Sequence, residues 1–332
     1  ALARVADGSD PRVAAYRRRR LQDRAETDRQ LRELADSALA LSAQPSADGQ
    51  SAAGVVRSPG GAARAAEEAE EAGRPWRGRP FRDWGCVVGL HYSEACLQRL
   101  RAAQAAGRRV LVGSVLVTDE AGPELVALAG SIAPVVYQMD LRLFEAEFQA
   151  KEAGQAARAC SFLTAFPVSR PLAALAPPFL VLDGLESARN IGQCLRTALH
   201  LGVTSVVASR SAWSCLTGRA ARSSMGWMYH LDFHLSPGRS AAAALAELRA
   251  DGVTVYAAES GAAAPVAPHA PPGDRRWALV VGNEENGVSA EVVRLADRTV
   301  AVPQHGGESL NVSHAAAICL YELGRCMAPS GP

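Results

Sequence analysis

Beyond residue 177, apolar residues come in short blocks separated by amphipathic stretches. In 229–235 apolar residues alternate with His230, Asp232 and His234, and the blocks at 178–183, 203–208, 253–258, 277–281 and 299–302 are mostly apolar. Such runs predict strands buried on both faces. Between them, apolar residues recur at helical spacing over 191–201, 214–221, 240–250, 289–295 and 310–326. Strand–helix alternation of this kind predicts a parallel sheet covered by helices. In such sheets ligands bind on the loops at the carboxyl ends of the strands.

A smaller alternating unit precedes it. The unit begins at Trp84 with the apolar run 86–90; the runs at 109–118, 134–138 and 160–166 predict strands, and 93–106, 123–129 and 140–150 predict helices. The Pro-bounded stretch 167–178 reads as a linker. Upstream, 12–41 patterns as an irregular amphipathic helix, 42–63 as a Ser/Gly/Pro/Ala-rich linker and 64–72 as an Ala/Glu helix. The expected organisation is therefore a helical or disordered extension over 1–80, an α/β domain over 84–166 and a larger α/β domain over 178–328. The run Arg17–Arg20 fits an RNA-phosphate contact or, better, a solvated helix face. The strip 74–82, with Trp76 and Phe81, fits either a grip on single-stranded RNA or a tether packing its aromatics on a neighbouring domain.

Composition narrows the classes. Of 332 residues, 48% are hydrophobic and 21% charged, with a formal net charge of +1. This excludes a wholly disordered chain, a collagen-like chain and a strongly basic tail protein. No run approaches the roughly 18 apolar residues of a membrane helix, so no membrane partner is expected. The near-neutral charge confines any RNA-binding surface to a local patch. The seven cysteines include no C-x-x-C pair and no zinc-ligand spacing. No metal site is expected, and a reducing intracellular compartment is, with cytoplasm and organelle undistinguished. The chain begins at Ala1, which reads as a trimmed or incomplete end. Residues 1–75 do not form a clean transit peptide, because Asp23, Glu26 and Asp28 follow the arginine run. Only one lysine, Lys151, and four asparagines occur, as a GC-rich coding sequence would give. Asn190, Asn283, Asn286 and Asn311 persist against that bias, all of them in the C-terminal loops.

Three of those loops carry candidate chemistry. In residues 182–203, Asn190 and Gly192 stand at a helix start, with Arg196 one and a half turns on. By helical spacing Asn190, Gln193 and Arg196–Thr197 face the loop side, toward the strand ends, but taken alone an asparagine cap and a surface arginine fit better. In 279–289 an apolar strand ends at Gly282 before Asn283, Glu284, Glu285, Asn286 and Gly287. That segment is either a polar turn or a loop whose glycines admit a ligand. In 300–323 a strand ends at Pro303, a glycine-rich loop follows, and Ser309, Leu310 and Asn311 open a helix. A simple serine cap and a site for a polar or anionic group both fit. His305 and His314 flank this loop. G-x-G-x-x-G, the P-loop and the G-x-S-x-G elbow are all missing, which disfavours dinucleotide, phosphoryl-transfer and serine-hydrolase chemistry.

Together the three loops resemble the signature motifs of the SpoU (TrmH-like) RNA ribose 2′-O-methyltransferases of the SPOUT superfamily. N-x-G-x-x-x-R-T-A stands as Asn190, Gly192, Arg196, Thr197 and Ala198. G-N-E-x-x-G stands as Gly282, Asn283, Glu284 and Gly287. P-x-x-G…S-L-N-V-S stands as Pro303, Gly306, Ser309, Leu310, Asn311, Val312 and Ser313. Arg222, Ser223, Ser224 and Gly226 resemble a weaker family segment. The resemblance spans about 178–326. It departs in a Pro303–Ser309 loop one residue shorter than the commonest form and in Gln304 at a usual methionine.

The resemblance implies an α/β fold: a C-terminal parallel-sheet trefoil-knot methyltransferase domain behind an L30e-like RNA-binding domain. It implies S-adenosylmethionine as cofactor, bound by Gly282, Asn283, Gly287, Val302, Pro303, Gln304, Ser309 and Leu310. It gives Arg196, Asn190, Glu284, Ser309 and Asn311 the catalytic work, without metal. A homodimer through the C-terminal domain is implied, as is methylation of a ribose 2′-OH in rRNA or tRNA. Guanosine is the family-level expectation, and the added N-terminal domain leans toward rRNA. A neutral guanidine base is implausible, so Arg196 is expected to hold phosphate and developing alkoxide, with Ser309 in the proton path. A catalytically silent RNA-binding paralogue acting in ribosome assembly is the competing reading, and an α/β enzyme with another cofactor a third.

Overall fold

A computed structural model of the chain describes residues 2–5, 84–89, 93–108, 110, 112–148, 160–165, 167, 169–261, 275–306 and 309–325. The expected helices at 12–41 and 64–72, the linker at 42–63 and the basic strip at 74–82 lie outside them. The chain divides into two compact units, Ala1–His91 with Leu111–Ala165, and Tyr92–Val110 with Phe166–Pro332.

The first unit holds a five-stranded sheet in the order β1-β4-β3-β5-β2. Its strands are β1 (Leu2–Val5), β2 (Trp84–Gly89), β3 (Val112–Thr118), β4 (Val135–Met139) and β5 (Cys160–Ala165). β3 runs parallel to β4 and antiparallel to β5, and β2 closes one edge antiparallel to β5. Helices α2 (Pro123–Ile132) and α3 (Leu141–Phe148) follow β3 and β4. Val115, Leu116, Val117, Leu125, Ala129 and Phe162 are buried. β1 was not expected, since no strand was read within 1–80. A four-residue run carries little local signal, and its parallel pairing with β4 is a long-range contact. Helix α1 (Ser93–Ala105) groups with the second unit.

The second unit carries the predicted parallel sheet, in the order β11-β9-β10-β6-β7-β8. The strands are β6 (Phe179–Leu182), β7 (Ser205–Ala208), β8 (Asp232–Leu235), β9 (Thr254–Ala258), β10 (Trp277–Val281) and β11 (Arg298–Val300). All five pairings are parallel. Alternate residues of β6 point to opposite faces. Phe179 and Val181 join Val255, Val280, Leu245, Leu248 and Val292 in one core layer, beneath α7 (Ala242–Ala250) and α8 (Ala290–Leu295). α4 (Ala188–His200) packs against α9 (Val312–Arg325), which also meets β10. The expected helix at 214–221 is two short ones, α5 (Arg210–Ser214) and α6 (Gly218–Ser223). A 3₁₀ turn, Trp227–His230, takes the start of the run read as a strand from 229. No described helix is long and apolar enough to cross a membrane.

The site follows from strand order. From β6 the chain moves outward to β7 and β8, then returns so that β10 enters between β9 and β6. The loops leaving β6 and β10 therefore emerge side by side at the carboxyl edge, a switch point of the kind that forms a crevice.

Candidate functional site

Asp183, just past β6, is 1% exposed. Its carboxylate accepts from the Ala241 N–H at the start of α7 and the Ser289 N–H at the start of α8, both at 2.9 Å. One buried charge thereby fixes the loop after β6 to the loop after β10. Two backbone N–H donors offset the cost of burying it.

The β10 loop closes on itself. Asn283 and Gly287 exchange backbone hydrogen bonds, and the Asn283 Oδ1 accepts from the Glu285 and Asn286 N–H groups. A Cβ on Gly282 would lie 2.1 Å from the Gly287 carbonyl carbon, so only glycine permits the fold-back. Gly287 has φ +69°, in the left-handed region that favours glycine. The Glu259 carboxylate sits beneath the turn and accepts from the Val288 N–H. Asn283 Nδ2 donates to the Gly184 carbonyl at 2.9 Å, a second tie between the two loops.

Helix α4 starts where these loops meet. Ser187 caps it, accepting from the Asn190 N–H. Asn190 is 8% exposed and bonded on both sides. Its Nδ2 donates to Glu284 Oε1 at 2.9 Å, and its Oδ1 accepts from Asn311 Nδ2 at 3.2 Å. Asn311 in turn caps α9 through its Oδ1, which accepts from the Ser313 N–H and hydroxyl. The Ser313 hydroxyl also reaches Gln193 of α4. One residue from each motif thus forms a continuous polar chain.

Gly192 explains the glycine of the first motif. A Cβ there would lie 2.5 Å from the Ala220 carbonyl and 2.6 Å from the Ser223 Cβ. Its absence lets α6 lie directly on α4. That contact brings Arg219 to a cleft of about 450 Å³ lined also by Arg189, Asn190, Gln193, Asn311 and His314.

The structure brings Asn190, Glu284 and Asn311 together, and Gln193 faces the cleft as its helical spacing predicts. Arg196 lies apart from that lining. It is exposed, and its Nη1 donates to Met225 Sδ at 2.9 Å. Met225 also accepts from Arg99 of α1 through its carbonyl, and Arg99 lies over the Trp227 ring at 4.6 Å. Burial pulls the Arg99 pKa down, with Arg196 adding to the effect. Of the residues expected at a cofactor, Gly282, Asn283 and Gly287 build the turn. Val302 is half-buried, and Pro303, Gln304, Ser309 and Leu310 are exposed. Arg189 and Arg219 were not singled out from sequence. Arg189 stood beside Asn190, but nothing local tied Arg219 to the first motif.

Residues 177–321 match the family model described as the SpoU rRNA Methylase family. The 23S rRNA (guanosine(2553)-2′-O)-methyltransferase RlmP of Bacillus subtilis is 34% identical over 151 residues, 45% of this chain and 59% of that protein. An uncharacterized tRNA/rRNA methyltransferase of Archaeoglobus fulgidus is 34% identical over 152 residues, 44% of this chain and 63% of its own. The chain thus spans about three-fifths of the length of these curated relatives. Among solved structures, the AdoMet-bound rRNA methyltransferase of Sinorhizobium meliloti shares the fold with a TM-score of 0.62, at 16% identity and 98% coverage of both chains. AviRb of Streptomyces viridochromogenes in complex with AdoMet does so at 0.58 and 21% identity, over 79% of this chain and 98% of that one. Residues 177–321 of this chain thus match the SpoU methylase family in sequence and motif spacing, and their sheet has the fold of the solved methyltransferases.

Proposed function

We propose that the chain is an S-adenosylmethionine-dependent RNA methyltransferase that acts on a ribose 2′-OH, with guanosine in rRNA the favoured target. The observation that carries this reading is the Asn311–Asn190–Glu284 chain, which joins three separate motif loops at the carboxyl edge of the sheet. The Bacillus relative, a guanosine 2′-O-methyltransferase of 23S rRNA, supports the ribose and the guanosine.

The loops fit the cofactor. Val302 and Leu310 offer apolar surface at the end of β11. The loop 302–306 follows β11 and 309–310 lead into α9, and their backbone polar groups would read an adenine edge. Bound S-adenosylmethionine supplies a methyl already activated on a sulfonium sulfur. The chain must orient a weakly nucleophilic hydroxyl and take up its proton. Asn190 holds the Glu284 carboxylate at the cleft, and Asn311 holds Asn190, so the loops keep their spacing. Arg196, exposed beside Met225, meets the target phosphate and the developing alkoxide. Ser309 lies on the proton's way out. The knotted threading expected of the family and a homodimer through α9 belong to this reading. Ile318 and Tyr321, 39% and 54% exposed on α9, are its dimer contacts.

The test is transfer of labelled methyl from S-adenosylmethionine to unmethylated rRNA and tRNA transcripts, with 2′-O-methyl mapping of the product. A new 2′-O-methyl in rRNA is expected. Tight cofactor binding with no transfer to any RNA would sink the reading, as would methylation confined to bases.

A further inference from the structure

We propose that Arg189 and Arg219 form a two-armed grip on the phosphates of the RNA strand, seating its backbone against the Asn190 cleft. The proposal deepens the reading above and rests on it.

Both arginines line the cleft, from different helices. Both are exposed, and among the described residues neither has an ion-pair or hydrogen-bond partner. Among the described residues the lining holds no acid, and Glu284, which Asn190 engages, also accepts from the Glu186 N–H.

The placement of the cations runs against helix preference. The N-terminal turns of α4 and α9 both open on the cleft, and neither holds an acidic residue. Aligned peptide dipoles make such turns electropositive, so anionic side chains are favoured there. Here Arg189 occupies the first turn of α4. The α4 dipole and the Arg189 charge therefore add rather than cancel, and the cleft mouth attracts anions.

The geometry favours a strand over a small free anion. The two guanidiniums stand on separate helices, with the amides of Asn190, Gln193 and Asn311 also lining the cleft. A planar guanidinium meets a phosphate with two parallel hydrogen bonds, and the exposed Gln193 amide suits a ribose hydroxyl or a base edge. Gly192 sets the spacing of the grip, since it fixes how closely α6, and with it Arg219, approaches α4.

The experiment compares wild type with Arg189→Gln, Arg219→Gln and the double variant. Binding of a short fluorescent single-stranded oligoribonucleotide is measured against KCl concentration, and S-adenosylmethionine binding by calorimetry. Each lost phosphate contact should reduce the slope of log K on log salt by about 0.7, so the double variant should lose about twice that. Cofactor affinity should stay as in wild type, and Arg→Lys variants should regain part of the slope. An unchanged slope in the double variant would overturn the grip, and the methyltransferase reading would survive if wild type still methylates RNA. A change of oligomeric mass with the slope intact would also overturn it, marking the cleft as a subunit interface. Conversely, a reduced slope in a protein whose wild type transfers no methyl would support the grip and remove the methyltransferase reading.

Discussion

Asn190 and Glu284, 94 residues apart, meet through a 2.9 Å hydrogen bond from the Asn190 amide to the Glu284 carboxylate. Asn190 is nearly buried, and Asn311 completes its partners from the other side. Asn190→Ala should therefore release both neighbours at once. Losing a preorganised polar contact of this kind typically lowers rate about 100- to 1000-fold. Glu284→Gln, which keeps an acceptor for the amide, should retain more transfer than Asn190→Ala. Single-turnover methylation of the three proteins checks the order, and equal losses would deny Asn190 its linking role.

Gly192 predicts a packing defect. Gly192→Ala places a methyl 2.5 Å from the Ala220 carbonyl, so α6 must shift. Overpacking of this kind costs about 1–3 kcal/mol, read as a lower urea midpoint. If the midpoint holds, α6 is not pressed on α4 as described.

Arg196 separates binding from transfer. Its guanidinium contacts Met225 and lies outside the lining of the Asn190 cleft. Arg196→Ala should leave S-adenosylmethionine affinity unchanged in calorimetry while methyl transfer falls about 100- to 1000-fold. Arg196→Lys should rescue poorly, because a point charge lacks the planar fork. Loss of cofactor binding before transfer would make Arg196 a structural support instead.

Asp297 gives the fold a pH dependence. Burial alone would raise its pKa, but the Val255 N–H and the Arg249 guanidinium outweigh burial and hold it below its ordinary value. A depressed folded pKa contributes stability above the unfolded value, about 3.9, and that stability is lost as pH falls through the folded value. Asp297→Asn should lower the urea midpoint at pH 7, and the gap from wild type should narrow as pH drops below 4. A gap that stays constant would remove the carboxylate's charge from the explanation.

The exposed face of α9 predicts self-association. Ile318→Glu with Tyr321→Glu should convert a dimer to a monomer in sedimentation at micromolar concentration. A wild-type monomer with full transfer activity would overturn the dimer.

Much of the site was legible because its chemistry sits within short segments. Asn190, Glu284 and Asn311 each follow a buried strand and open a helix or a turn, a pattern set by local periodicity and by residues that permit tight turns. Arg189 and Arg219 were not legible. Arginine on a helix surface is common, and only the contact of α6 with α4 places Arg219 near Asn190. Arg196 shows the opposite mismatch. Its motif position suggested that it joins Asn190, yet the turn of α4 carries it to Met225.

The sequence by itself determined the alternation of strands and helices, the loops that carry polar residues and the glycines those loops require. These follow from side-chain periodicity and backbone sterics within a few residues. Tertiary structure decided that β10 enters between β9 and β6, and so which loops become neighbours. Parallel pairing joins strands far apart in the chain, and strands buried on both faces carry no polar side to mark their neighbour. The decision falls to the packing of α7 and α8 against one face and to the Asp183 carboxylate, which fastens α7 and α8 to the end of β6.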